Sequence, residues 1–149
     1  MSRSGLSKLL VVLVLALACG SEAEVTGTQS PAMTLTFEPA SASSVGTRTS
    51  QGSLQCNADM TILAHGGTDH ILTLQGIAAV FSTPAGAALN TVSATPTSWF
   101  GVSTLKRNET AVAHRQPTGS GPFTLLTTLT YSDQFGASKT ATYTLSCTE

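Results

Sequence analysis

The sequence predicts an all-β fold, an antiparallel sandwich of about seven to eight strands. Three observations lead there. Apolar residues recur at every second position in several segments, clusters of turn-forming residues separate those segments, and no window after residue 32 holds a helical period. Composition agrees, with 24 threonines and 18 serines among 149 residues and only 10% charged residues. Threonine suits the pleated, half-buried surface of a strand, and serine and glycine suit turns.

The elements follow in order. "MTLTF" places Met33, Leu35 and Phe37 on one face and Thr34 and Thr36 on the other. Pro39 to Gly52 is rich in Ser, Thr and Gly and reads as a connection. "LQCNADMTILA" sets Leu54, Cys56, Ala58, Met60, Ile62 and Ala64 on one side of a single strand. Gly66-Gly67 makes a turn, and the next strand runs through Leu72 and Leu74 to Phe81, with a bulge expected near Gly76. "TPAGAALN" reads as a further turn region, followed by weaker strands at Trp99–Leu105 and Thr110–Arg115. A final hairpin carries Phe123, Leu125, Thr127, Leu129 and Tyr131 inward, turns at "SDQFG", and returns with Ala141, Tyr143, Leu145 and Cys147 inward.

The N-terminus has a different character. Arg3 and Lys8 precede ten unbroken apolar residues, Leu9 to Ala18. A spanning helix needs about 20, so this run reads as an export signal covering residues 1–18. Residues 20–32, "GSEAEVTGTQSPA", are small, polar and acidic, and read as a flexible tether that begins at Cys19. Fully extended, they would reach about 45 Å. The sandwich domain then occupies residues 33–149.

Export bears on the cysteines. Cys56 and Cys147 are both in phase with the apolar face of their strands. In an oxidising compartment two inward cysteines are expected to be bridged, closing a loop of about 90 residues. The alternative is a pair of buried free thiols. Cys19 then stands apart, at the end of the apolar run.

Leu15-Ala16-Leu17-Ala18 before Cys19 resembles the lipobox of bacterial lipoproteins. The commonest form of that motif has Leu where this chain has Ala16. The resemblance implies cleavage before Cys19, diacylglycerol on its thiol and anchorage in a membrane, the outer membrane if the cell is Gram-negative, because Gly20 follows. The alternative is an ordinary secretory signal cut nearby, with Cys19 incidental. A chain cut there would carry five basic and eight acidic residues, a net charge of about −3, with only Lys106 and Arg107 adjacent. That excludes the clustered basic patch that nucleic acid requires.

The strand count, the cross-core cysteine pair and the closing hairpin "TLTYSDQFGASKTATYTLSC" together resemble the immunoglobulin-like sandwiches of exported bacterial proteins. Two features depart from the immunoglobulin pattern. The second cysteine lies on the last strand, and Trp99 sits far from Cys56 in sequence. The resemblance implies a fold and leaves function open.

Candidate chemistry is sparse. "HGGTDH" brings His65, Asp69 and His70 within six residues, and His114 would supply a third imidazole, so a metal-binding or hydrolytic site is one reading. Solvated turn residues are the other. "HGG" lacks the G-x-S-x-G elbow that an esterase needs. Ser103 to Lys106, Ser132-Asp133-Gln134 and Lys139-Thr140-Ala141 mimic the order of motifs in penicillin-recognising enzymes, but the last two depart from them and the nucleophile's helix is missing. Glu38, Asp59, Asp69, Glu109 and Asp133 are the carboxylates from which a glycosidase pair would have to come. Asn108-Glu109-Thr110 fits a glycosylation sequon. Trp99-Phe100 reads as core, or as an aromatic contact for a partner. The expectation is therefore a lipid-anchored, non-enzymatic envelope module with no metal or cofactor and an unidentified protein or glycan partner. A small metal-binding or hydrolytic protein using His65, Asp69 and His70 is the alternative.

Overall fold

The computed structural model describes residues 31–67 and 70–149. The expected signal segment, Cys19 and residues 19–30 of the expected tether lie outside the described residues.

Two layers enclose one core. The smaller is a three-stranded sheet in the order β1 (Thr34–Phe37), β5 (Ala58–His65), β9 (Thr110–Arg115). The larger runs β2 (Ser41–Val45), β12 (Ser138–Thr148), β11 (Phe123–Ser132), β6 (Ile71–Ser82), β7 (Ala88–Ala94), with β8 (Thr104–Lys106) also paired to β6. A small third sheet joins β10 (Thr118–Gly119), β4 (Leu54–Gln55) and β3 (Thr47–Arg48). All pairs are antiparallel except β2 with β12. This is an immunoglobulin-like β-sandwich, with β7 as the extra strand beside the sheet that carries the closing hairpin.

Alternation is what builds the layers. Along β11, Phe123, Leu125, Thr127, Leu129 and Tyr131 are buried, and along β12, Ala141, Tyr143, Leu145 and Cys147 are buried, as the period of two predicts. Leu35 and Phe37 on β1 and Met60, Ile62 and Ala64 on β5 face them from the other layer. Phe37 packs 5.7 Å from the ring of Tyr143 across the core. The Tyr131 hydroxyl also crosses, accepting the Leu35 N–H at 3.2 Å.

The expected bulge is present. Gly76 pairs with Thr130 and Leu74 with Tyr131, so Gln75 is the extra residue. It shifts the phase of β6, which is why Leu72 and Leu74 and then Ile77 and Ala79 all face inward. Cys56 and Cys147 are bridged, with Cα atoms 5.9 Å apart across a sequence separation of 91. The bridge ties the chain entering β5 to the end of β12, and so one layer to the other.

Four segments differ from the sequence reading. The expected connection from Pro39 to Gly52 contains β2 and β3. Pro39 has no N–H to give a ladder, so the chain leaves the small sheet there and joins the large one beside β12. The strand expected from Leu54 to Ala64 breaks after Gln55, although its inward phase survives the break. The region expected as a turn from Thr83 to Asn90 turns only at its start, where the Thr83 carbonyl accepts the Gly86 N–H at 2.8 Å, and β7 begins at Ala88. The strand expected at Trp99–Leu105 is a single helical turn, α1 (Pro96–Phe100), followed by the short β8. Thr95 caps the turn, its hydroxyl accepting the Ser98 N–H at 3.2 Å, Pro96 opens it, and Gly101 closes it at φ 74°.

Candidate functional site

The histidines are not brought into one cluster. His65 ends β5 with its ring 3.2 Å from the Thr34 hydroxyl. His114 sits on β9 opposite Asp59, the two side chains 2.8 Å apart and both largely exposed. Asp59 and His65 are six residues apart on one strand, so His65 and His114 are separated by about 20 Å at the usual rise of about 3.3 Å per residue. His70 is exposed at the start of β6, and Asp69 lies outside the described residues. Among the described residues, no group of three metal-ligating side chains converges.

The other sequence candidates have local structural roles. Asp133 holds the final hairpin turn. Its carboxylate accepts the N–H groups of Phe135 at 2.9 Å and Ala137 at 3.0 Å, and pairs with the Lys139 ammonium at 2.7 Å. Those contacts hold its carboxyl below the usual carboxylate range, the Lys139 hydrogen bond foremost, against the opposing effect of burial. Gln134 latches the start of the domain: it accepts from the Met33 N–H at 2.9 Å and donates to the Pro31 carbonyl at 3.1 Å. Glu109 accepts the Lys106 N–H at 2.8 Å in the turn that holds Asn108 at φ 63°. Asp59 and Glu109 lie at opposite ends of the β5–β9 ladder, so they do not form a facing carboxylate pair. Ser103 precedes β8 and Lys106 ends it, with no helix to present them.

A mainly apolar concave surface lies where the larger sheet extends past the smaller one. The inner faces of β6 and β7 meet there through directly opposed residues, Ala79 with Val92 and Phe81 with Asn90. Leu125 of β11 lies beside Phe81. Facing them are Trp99 of α1 and Arg115, Gln116 and Pro117 at the end of β9, which close a hollow of about 340 Å³. A second hollow of about 200 Å³ follows along the same edge, between Phe81, Leu89, Asn90 and Phe123. Trp99 and Phe100, adjacent in sequence, separate in role: Phe100 is buried in the core and Trp99 is half-buried as the wall of the hollow.

Among the described residues lining this surface, Arg115 is the one charged group. Its guanidinium carbon lies 5.1 Å from the centre of the Trp99 ring and one terminal nitrogen donates to the Ser98 carbonyl. Its Nε is buried without a protein partner, and among the described residues no carboxylate pairs with it. Sequence reading found Trp99 but missed the surface. Its floor is completed at the edge by β7, a strand without a visible alternation because nearly all of its residues are exposed.

No protein-family profile matches the chain, and no curated protein matches it. Among solved structures it is similar to the Northeast Structural Genomics Consortium target SoR45. That similarity has a TM-score of 0.52 at 11% identity, over 80% of this chain and 87% of that one. The likeness is one of fold. The N-terminal domain of PorA aligns at 14% identity over 72% of this chain and 87% of that one, with a TM-score of 0.35, too low to carry an argument.

Proposed function

We propose that this chain is a lipid-anchored β-sandwich of the cell envelope, acting as a non-enzymatic structural or binding module. The observation that carries the reading is the buried Cys56–Cys147 bridge. A structural disulfide persists in an oxidising compartment, which agrees with the export-signal character of residues 1–18. The bridge also accounts for two of the three cysteines, leaving Cys19 in the lipobox-like run. Under this reading two or more acyl chains hold the protein at the membrane, because one chain alone binds only marginally. Gly20 favours the outer membrane of a Gram-negative cell, by the sorting habit of the lipoproteins it resembles.

The binding half of the proposal is supported by where the chemistry lies. Asp133 and Glu109 serve turns and Asp59 and His114 a surface pair, whereas the apolar hollows beside β7 have room for side chains of a partner. Cys19→Ser tests the anchor. The wild type is expected to take up radioactive palmitate and to sediment with membranes, and the variant to do neither. Retention of the variant in membranes would overturn the anchor.

A further inference from the structure

We infer that β7 is a strand-addition edge, which binds an extended partner segment with apolar side chains at alternate positions and one carboxylate among them. This rests on the reading of the chain as a binding module.

Among the described residues, the edge strands of the two layers are β1, β9, β2, β7 and the short β8. β7 is the longest, with 7 residues against 6 in β9, 5 in β2 and 4 in β1. An exposed edge presents unpaired N–H and C=O groups, and proteins blunt such edges with charge, proline or short length. "ALNTVSA" has no charge and no proline, and Leu89 and Val92 are exposed on it. The side of β7 away from β6 is open, most regularly over Asn90 to Ala94, because the pairing shifts register at Leu89, between Phe81–Asn90 and Ser82–Ala88.

The hollows say what kind of strand fits. In strand addition the main chain supplies affinity and pockets for alternate side chains supply selectivity. The two hollows follow one another along β7, one at Val92 and the other at Leu89 and Asn90. Positions two residues apart on a strand are separated by about 6.6 Å and point to the same face. The alternate side chains of an added strand therefore meet one hollow and then the next. Both floors are mainly apolar, through Ala79, Phe81, Val92 and Phe123, which selects apolar side chains.

Arg115 selects the charge. The Arg115 guanidinium, held over Trp99 and paired with no carboxylate among the described residues, is matched by a carboxylate, which accepts charge-assisted hydrogen bonds from its terminal nitrogens. This favours a different partner over a second copy. A two-fold pairing of β7 with itself about Thr91 would bring only Asn90 and Val92 to the hollows, and neither carries a carboxylate.

The test uses the full chain in detergent and Trp99, its only tryptophan, as the reporter. The probe is a synthetic peptide of about ten residues with Val at alternate positions, Thr between them, and one Glu in the Val phase. The expected result is a saturable blue shift of Trp99 emission, with a dissociation constant on the order of 10–100 μM. Val92→Lys should weaken binding at least about tenfold. If that variant does not fold, as read by circular dichroism, Leu89→Lys makes the same test, since Leu89 is 54% exposed. Arg115→Gln should weaken the Glu peptide about tenfold and leave a Gln-for-Glu peptide unaffected. No saturable shift up to about 1 mM, or unchanged binding by the lysine variants, overturns the inference. So does a dimer in light scattering that the lysine variants dissociate, because a second copy would then be the occupant. The titration needs no membrane, so its failure leaves the anchor to be judged on the Cys19→Ser result.

Discussion

Removing the disulfide should lower stability by a predictable amount. The bridge joins residues separated by 91 positions, so the reduced chain regains the freedom of a loop of that size when it unfolds. The chain-entropy relation assigns such a loop about 15–16 cal/mol/K, or about 4–5 kcal/mol at room temperature. Two local effects act on that figure. Cys56 and Cys147 are each 1% exposed, so Cys→Ala at both leaves small cavities that add to the loss. Reduction keeps the sulfurs in place, and the freed Cys56 thiol can donate to the Ser44 carbonyl 3.3 Å away, which offsets part of it. The assay is urea unfolding followed by Trp99 emission, for the oxidised protein, the reduced protein and the Cys56→Ala/Cys147→Ala variant. Reduction should cost about 3–5 kcal/mol, the double variant somewhat more, and both midpoints should fall. Since the total stability of such a domain is about 5–15 kcal/mol, the double variant should be marginal at 37 °C. A loss below about 1 kcal/mol in both would refute the reasoning, and would mean that the unfolded chain is not set free by breaking the bridge.

Three further outcomes are expected. Asp133 has its carboxyl pKa depressed in the folded state, so its contribution is present above the unfolded value near 3.8 and is lost as pH falls through the folded value; Asp133→Asn should flatten the acid limb of a stability–pH curve below pH 4, and an unchanged limb would exclude the turn carboxylate. Thr127 and Tyr143 are directly opposed, fully buried, and carry hydroxyls with no protein partner, so Thr127→Val should leave stability unchanged or raise it by up to about 1 kcal/mol in urea unfolding, and a loss above that would show the hydroxyl to be bonded. Gly67 sits at φ 65° with Met33 Cγ 2.5 Å from where a Cβ would stand, so Gly67→Ala should cost about 1–3 kcal/mol, and a neutral result would contradict the tight approach of the two segments.

Much of the fold was legible because it rests on a period of two. The faces of β1, β5, β11 and β12 were all readable, since each strand buries one side against a common core. The bulge at Gly76 was legible for the same reason: the inward phase changes between Leu74 and Ile77, and only an extra residue reconciles them. β2 and β7 were not legible. Their residues are exposed or half-buried, none of them fully buried, and backbone pairing to β12 and β6 is what makes them strands. α1 was misread as extended, although Thr95-Pro96 and Gly101 are start and stop signals for a helical turn, because five residues are too few to show a helical period.

The sequence by itself determined that this is a β-sandwich with a cross-core cysteine pair, because burial alternation and turn chemistry are local properties of the chain. Only the tertiary structure decided which surface is available for binding. It put His65 and His114 at opposite ends of the β5–β9 ladder, and it left the larger sheet extending past the smaller one. It also set Arg115 against Trp99 beside β7, whose own residues signal nothing in isolation. An edge exists only relative to the strands that are paired, and a hollow only relative to the layer that fails to cover it.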